Sequence, residues 1–183
     1  MTQPISVQQT MKQKHMNLLV YGEIGPGTGK FWEIQPYFVV DDSVFSDRVK
    51  QVLADDQVSI GAPIAYMPGN QPSIQETEQQ LQTRLRTLGQ LLNGLDQYDL
   101  GTEAGYREAR RIFCPEDLSQ EAKTQGGGAD MLLLFCGHAN SMLAASQGRE
   151  NSEYHQLLSE SEAAYRAGLT ADPNDIRLQI SLA

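Results

Sequence analysis

Cysteine is scarce in this 183-residue chain, with two, Cys114 and Cys136, each in an apolar stretch (Ile112-Phe113-Cys114 and Leu134-Phe135-Cys136). Two isolated cysteines make neither a disulfide scaffold nor a zinc cluster, and their setting predicts buried free thiols in a reducing compartment. Basic residues are also few, 14 Lys and Arg against 23 Asp and Glu, for a formal net charge of −9. A chain of that sign lacks the cationic face that displaces counterions from phosphates, so nucleic acid is not an expected partner. An anionic membrane surface is disfavoured for the same reason. No apolar run approaches the roughly 20 residues that span a bilayer, so membrane insertion is not expected. The opening MTQPISVQQTMKQKH has no apolar segment of the kind a secretory signal carries, and the expected location is cytoplasmic.

What is present suffices for one domain, or for a small domain with a helical extension. Residues 1–16 are polar and Gln-rich and predict a loose arm. Asn17 to Tyr21 is a compact apolar run closed by Gly22, which reads as a strand. Gly25-Pro26-Gly27-Thr28-Gly29 suits only a loop. Phe31 to Val40 is rich in aromatic and β-branched residues, so a second strand follows, with Pro36 breaking it or confining it to a sheet edge. Val44, Phe45, Val49, Val52 and Leu53 then share one helical face, with Asp41, Asp42 or Ser43 placed as the cap. Val58 to Tyr66 returns to strand composition before Met67-Pro68-Gly69-Asn70. Residues 17–71 thus predict a small α/β unit.

Beyond Pro72 the pattern turns helical. Ser73 and Glu76 have the spacing of a capping box. Behind them Leu81, Leu85, Leu88, Leu92 and Leu95 form one stripe, suited to packing on the chain's own helices or to a short coiled-coil seam. Two heptads are few for a free-standing coiled coil, which favours intramolecular packing. A helix is expected over Glu103 to Phe113, and Pro115 can open another with Glu116 and Asp117 in its first turn. These complete a helical segment over 72–125. Gly126-Gly127-Gly128 predicts a hinge at 126–129. Asp130 is then placed to cap a helix from Met131 to about Ser146, ended by Gly148. A second helix starts near Asn151 or Ser152 and carries Tyr154, Leu157, Leu158, Ser161, Tyr165 and Leu169 at helical spacing. Asp172-Pro173-Asn174-Asp175 forces a turn, after which Ile176, Ile180 and Ala183 can begin a third. The expected class is α+β, a small N-terminal α/β unit followed by a mainly helical region with an antiparallel hairpin over 130–183.

Ala164 to Asp175 resembles the second helix and following turn of a tetratricopeptide repeat. Tyr165, Gly168 and Pro173 match the aromatic, the small residue and the helix-breaking proline of that family, and Gly137 matches the small residue where paired helices touch. The resemblance covers about 130–183 and implies a hairpin whose backbones approach closely, in a protein that contacts other proteins. A single unit does not form the concave groove of an array.

Three further motifs invite chemistry. Gly25 to Lys30 is similar to the phosphate-binding loop of ATPases, but its spacing is one short and Phe31 stands where Ser or Thr would hold magnesium. Phe38 to Leu53 resembles the opening of response-regulator receiver domains, which implies Asp41 and Asp42 as the magnesium-binding acids. The later aspartate, hydroxyl residue and lysine of that family have no counterpart in place, because the chain turns helical after residue 73. Val20 to Pro26, Met67-Pro68-Gly69 and Gly137 to Met142 are similar to the first strand, oxyanion loop and nucleophile turn of Clp-type serine peptidases. That resemblance implies Ser141 as nucleophile and His155 as its base. By helical periodicity alone, Ser141 lies inside a helix, and His138 and His155 are ordinary helix-face residues.

No residue is therefore assigned a catalytic, cofactor-binding or metal-binding role, and no cofactor is expected. The chain is expected to be a non-enzymatic interaction or assembly (scaffold) protein that contacts another protein, or itself, through helical faces. The alternatives are a serine hydrolase using Ser141 and a receiver-like signalling domain using Asp41 and Asp42.

Overall fold

The computed structural model describes residues 7–41, 43–53, 58–114, 128–147 and 149–182. An N-terminal antiparallel sheet of four strands is followed by a mostly helical region, so the class is α+β. By its contacts the chain divides into two compact units, 1–82 and 83–183.

The first unit holds α1 (Val7–Lys14), β1 (Leu18–Pro26), β2 (Trp32–Val40), α2 (Asp47–Leu53), β3 (Val58–Ser59), β4 (Ile64–Tyr66) and the start of α3 (Gln71–Asp99). β1 and β2 are an antiparallel hairpin in unbroken register from Leu18↔Val40 to Pro26↔Trp32. β3 and β4 both pair with β2, whose residues Phe38 and Ile34 face Val58 and Ile64. β2 is therefore the central strand, which corrects the expectation that Pro36 breaks the strand or confines it to an edge. Pro36 lies opposite the bend between β3 and β4, where no ladder donor is required. Its carbonyl accepts the Ile60 amide at 2.9 Å, and the Gln35 side chain closes the bend through the Gly61 carbonyl at 2.9 Å. Gly61, at φ 73°, turns the chain there and splits the single strand expected over 58–66.

Three local expectations are corrected in this unit. The stretch expected to be loose forms a helix over Val7–Lys14, with Met11 fully buried; residues 1–6 lie outside the described residues. α2 begins at Asp47, because the Ser46 carbonyl accepts the amides of Val49 and Lys50 at 3.1 and 3.2 Å. Asp41 instead closes a turn, its carboxylate accepting the Ser43 amide at 2.8 Å and the Ser43 hydroxyl; Asp42 lies outside the described residues. α3 begins two residues before Ser73. Asn70 Oδ1 accepts the Ser73 amide at 3.0 Å in the manner of an N-cap, and Pro72 is tolerated in the first turn. Ser73 Oγ accepts the Met67 amide at 2.8 Å, so the expected capping box is not formed.

The second unit contains the rest of α3 with α4 (Glu103–Phe113), α5 (Ala129–Ser146), α6 (Ser152–Ala171) and α7 (Ile176–Leu182). α5 is buried along its first nine residues, from Ala129 to Gly137, as an apolar run on every face demands. α4 and α6 pack on it, and α7 packs on α6. Thr102 caps α4, its hydroxyl accepting the Gly105 amide at 3.1 Å, and Asn151 caps α6 through the Glu153 amide at 3.0 Å. Asp130 is not a cap. Gly128, at φ 90°, starts α5, and Asp130 is buried in the first turn. The helix expected from Pro115 and the glycines at 126–127 lie outside the described residues.

The leucine stripe is divided between core and surface. Arg84, Leu88, Leu91, Leu95 and Tyr98 are buried, whereas Leu85 is 53% exposed. The seam thus includes Leu91, which the leucine repeat alone omits. The expectation of free thiols is also overturned. The end of α4 lies against the middle of α5, with 5.0 Å between the Cα atoms of Cys114 and Cys136, and the two sulfurs are joined as a disulfide. A sequence separation of 22 conceals that proximity.

Candidate functional site

Polar side chains gather at two places in the second unit. The first is the seam between α5 and α6. Ser161, buried, donates to the Gly137 carbonyl at 2.9 Å and lies 2.7 Å from Ser141 Oγ. A hydroxyl has one proton to give, so Ser141 donates to Ser161. One turn away, the hydroxyl of Tyr165 lies 3.4 Å from His138 Nδ1, and the two rings meet edge to face at 5.6 Å. Burial pushes the His138 imidazole down to about 4, so it is neutral at neutral pH.

This seam does not assemble an activated serine. Gly137 to Met142 is continuous helix, with no strand-to-helix turn to present Ser141. His155 is exposed near the start of α6, where its ring packs at 5.2 Å on Tyr154, and no hydrogen bond joins it to Ser141. Met67-Pro68-Gly69 belongs to the other unit. Beside the seam, Asn140 is 1% exposed, and its amide nitrogen lies 3.7 Å from both sulfurs of the disulfide.

The second place joins α3, α5 and α7. Asp175 caps α7, accepting the Arg177 amide at 2.9 Å and its guanidinium at 2.7 Å and 3.0 Å. Burial opposes ionisation of Asp175, but the Arg177 hydrogen bonds outweigh it and hold the carboxyl below its ordinary value. Asp130 is raised, first by burial and then by the charge of Asp175, with Arg177 opposing. Arg84 is lowered by burial, and the charge of Asp130 works against that. Three acids, Asp130, Asp172 and Asp175, and two guanidinium groups, Arg84 and Arg177, contribute charge here, an arrangement suited to orienting helices. Among the described residues no group of three or more His, Cys, Asp and Glu could hold a metal ion.

Sequence reasoning missed this cluster, although one signal was available. Arg84 stands four residues before Leu88, in register with the buried leucines rather than opposite them.

The remaining motifs are local structure. Gly25 to Lys30 ends β1 and forms the hairpin turn, in which Gly27 and Thr28 bond to Phe31 at 3.0 and 3.2 Å. A strand follows it, so no helix terminus is offered to a phosphate. The sheet carrying Asp41 is antiparallel throughout, unlike the parallel sheet of a doubly wound receiver fold.

No helix among the described residues is long and apolar enough to cross a membrane. The chain matches no protein-family model, no curated protein and no solved structure.

Proposed function

We propose that this chain is a non-enzymatic interaction or assembly protein whose helical region contacts another protein. One observation carries the proposal. Ile176 and Ile180, one turn apart on α7, are 67% and 70% exposed, while Leu178 of the same helix is fully buried. α7 is thus anchored by one side chain and offers an aliphatic ridge outward, of the kind an amphipathic partner helix covers. The tetratricopeptide resemblance belongs to this reading. It is supported by the close approach of α5 and α6 at Gly137 and of α7 to α6 at Gly168, where a Cβ would stand 2.8 Å from Leu178.

Location is a separate question. The disulfide supports an oxidising setting over the cytoplasm expected from composition, and mass spectrometry of the non-reduced native protein distinguishes them. The binding proposal is tested by affinity purification from the native source with wild type and with Ile176→Asp/Ile180→Asp. The double variant should keep its helical circular dichroism and lose the captured partner. Undiminished capture by the folded variant would sink the proposal.

A further inference from the structure

Strand alternation sorts the backbone groups of β1 into two sets. The Asn17 carbonyl accepts the Asp41 amide at 3.0 Å, and the Gly27 amide reaches the Phe31 carbonyl at 3.0 Å. The register between these pairs is continuous, so odd-numbered residues exchange hydrogen bonds with β2. The N–H and C=O groups of Leu18, Val20, Gly22 and Ile24 therefore point to the opposite edge. Among the described residues no strand pairs with that edge, because β1 is the outermost strand.

Such an edge is ordinarily blunted by shortness, a bulge, lysine or proline. β1 is nine residues long, its pairing has no bulge, and Glu23 is its only charge. Pro26 stands only at its last position. The side chains of the outward-pointing residues share a face with their partners on β2. That face is apolar and partly open near the hairpin turn, with Ile24 59% and Trp32 44% exposed.

We propose that this edge is a self-association site, in which β1 pairs antiparallel with β1 of a second copy to give one continuous sheet. This edge belongs to the first unit, and the helical ridge on α7 to the second. A second copy is the occupant that the strand itself fits. Pairing along its whole length places the two-fold axis at its midpoint, Gly22. Glycine then faces glycine where the backbones meet, Val20 faces Ile24 of the copy, and each outward amide meets an outward carbonyl. Glu23 faces Tyr21 of the copy, so the one charge never opposes itself. A shift of one step, centred on Glu23, would set carboxylate against carboxylate at the closest side-chain pair.

Sedimentation equilibrium of the full chain should give the mass of two copies. Ile24→Pro should halve that mass, because it deletes an outward N–H and leaves the β1–β2 ladder intact. A second measurement needs no variant. Amides of Val20, Gly22 and Ile24 should exchange slowly with deuterium in concentrated solution and rapidly on dilution, while those of Tyr21 and Glu23 stay slow at both. A monomeric wild type, or outward amides that exchange rapidly at every concentration, overturns the proposal. So does a dimer that persists in folded Ile24→Pro, which places association elsewhere, or protection that appears only on adding an unrelated extended peptide.

Discussion

Gly137 on α5 lies against the ring of Tyr165 on α6 so closely that a Cβ at position 137 would stand 2.1 Å from Cε1. The ring has His138 on another side, 5.6 Å between centroids, which limits its retreat. Helix propensity alone favours alanine over glycine by about 1 kcal/mol. Overpacking of this kind costs about 1–3 kcal/mol or more. Gly137→Ala should therefore destabilise the chain by about 1–2 kcal/mol in urea unfolding. Combining it with Tyr165→Leu should give less than the sum of the two single losses.

Gly89→Ala should have the opposite sign. Gly89 is exposed in the interior of α3, and a Cβ there meets nothing within 4 Å. The same urea experiment should show a gain of about 0.5–1 kcal/mol. A loss would mean that this face of α3 is covered in solution.

His138 should govern part of the acid limb of stability. Its folded value, lowered by burial to about 4, lies below the unfolded 6.5. Between those values the unfolded chain binds a proton that the folded chain does not, so stability rises with pH. Its share is full above pH 6.5, falls as pH drops towards 4 and is constant below, a change on the order of 3 kcal/mol. Urea titrations across this range should show the slope in wild type and a shallower one in His138→Gln. Equal slopes would remove His138 from the account.

Reduction of the Cys114–Cys136 disulfide should destabilise the second unit. The bridge closes a sequence separation of 22, for which the loss of denatured-state entropy corresponds to about 3 kcal/mol. Thermal melting should shift down in the presence of a phosphine, and Cys136→Ser should melt low with no further response. A wild-type melt indifferent to reductant would show that the bridge does not form.

Two leucines three residues apart should respond oppositely to the same charge. Leu88 is 4% exposed and Leu85 is 53% exposed. Leu88→Asp buries an unpaired carboxylate and should cost at least about 3 kcal/mol, whereas Leu85→Asp should stay within about 0.5 kcal/mol of wild type. If both variants unfold together, the stripe is core along its length.

Much of the architecture was legible because periodicity is a local property. The helices at Glu103–Phe113, Ser152–Ala171 and Ile176–Leu182 fall where the spacing of apolar residues places them. Starts were less legible, because several residues compete to cap each helix. Asn70 and Ser46 take roles that Ser73 and Asp41 could fill equally well on local chemistry. Of the candidate sites, Ser141 was correctly placed inside a helix, but nothing local identifies Ser161 as its partner. Pro36 misled for the same reason, since an absent N–H matters only where a neighbouring strand would use it.

By itself the sequence determined the α+β class and the alternation of strand and helix. These follow from side-chain spacing and from backbone preferences that act within a few residues. Tertiary structure alone decided that Cys114 meets Cys136, that Gly137 lies against Tyr165, that Asp130 is buried near Asp175, and that β1 rather than β2 is the edge strand. Each is a relation between segments far apart in the chain. Such relations are settled by which faces pack together, and burial then changes the chemistry of the groups enclosed, as it does for His138.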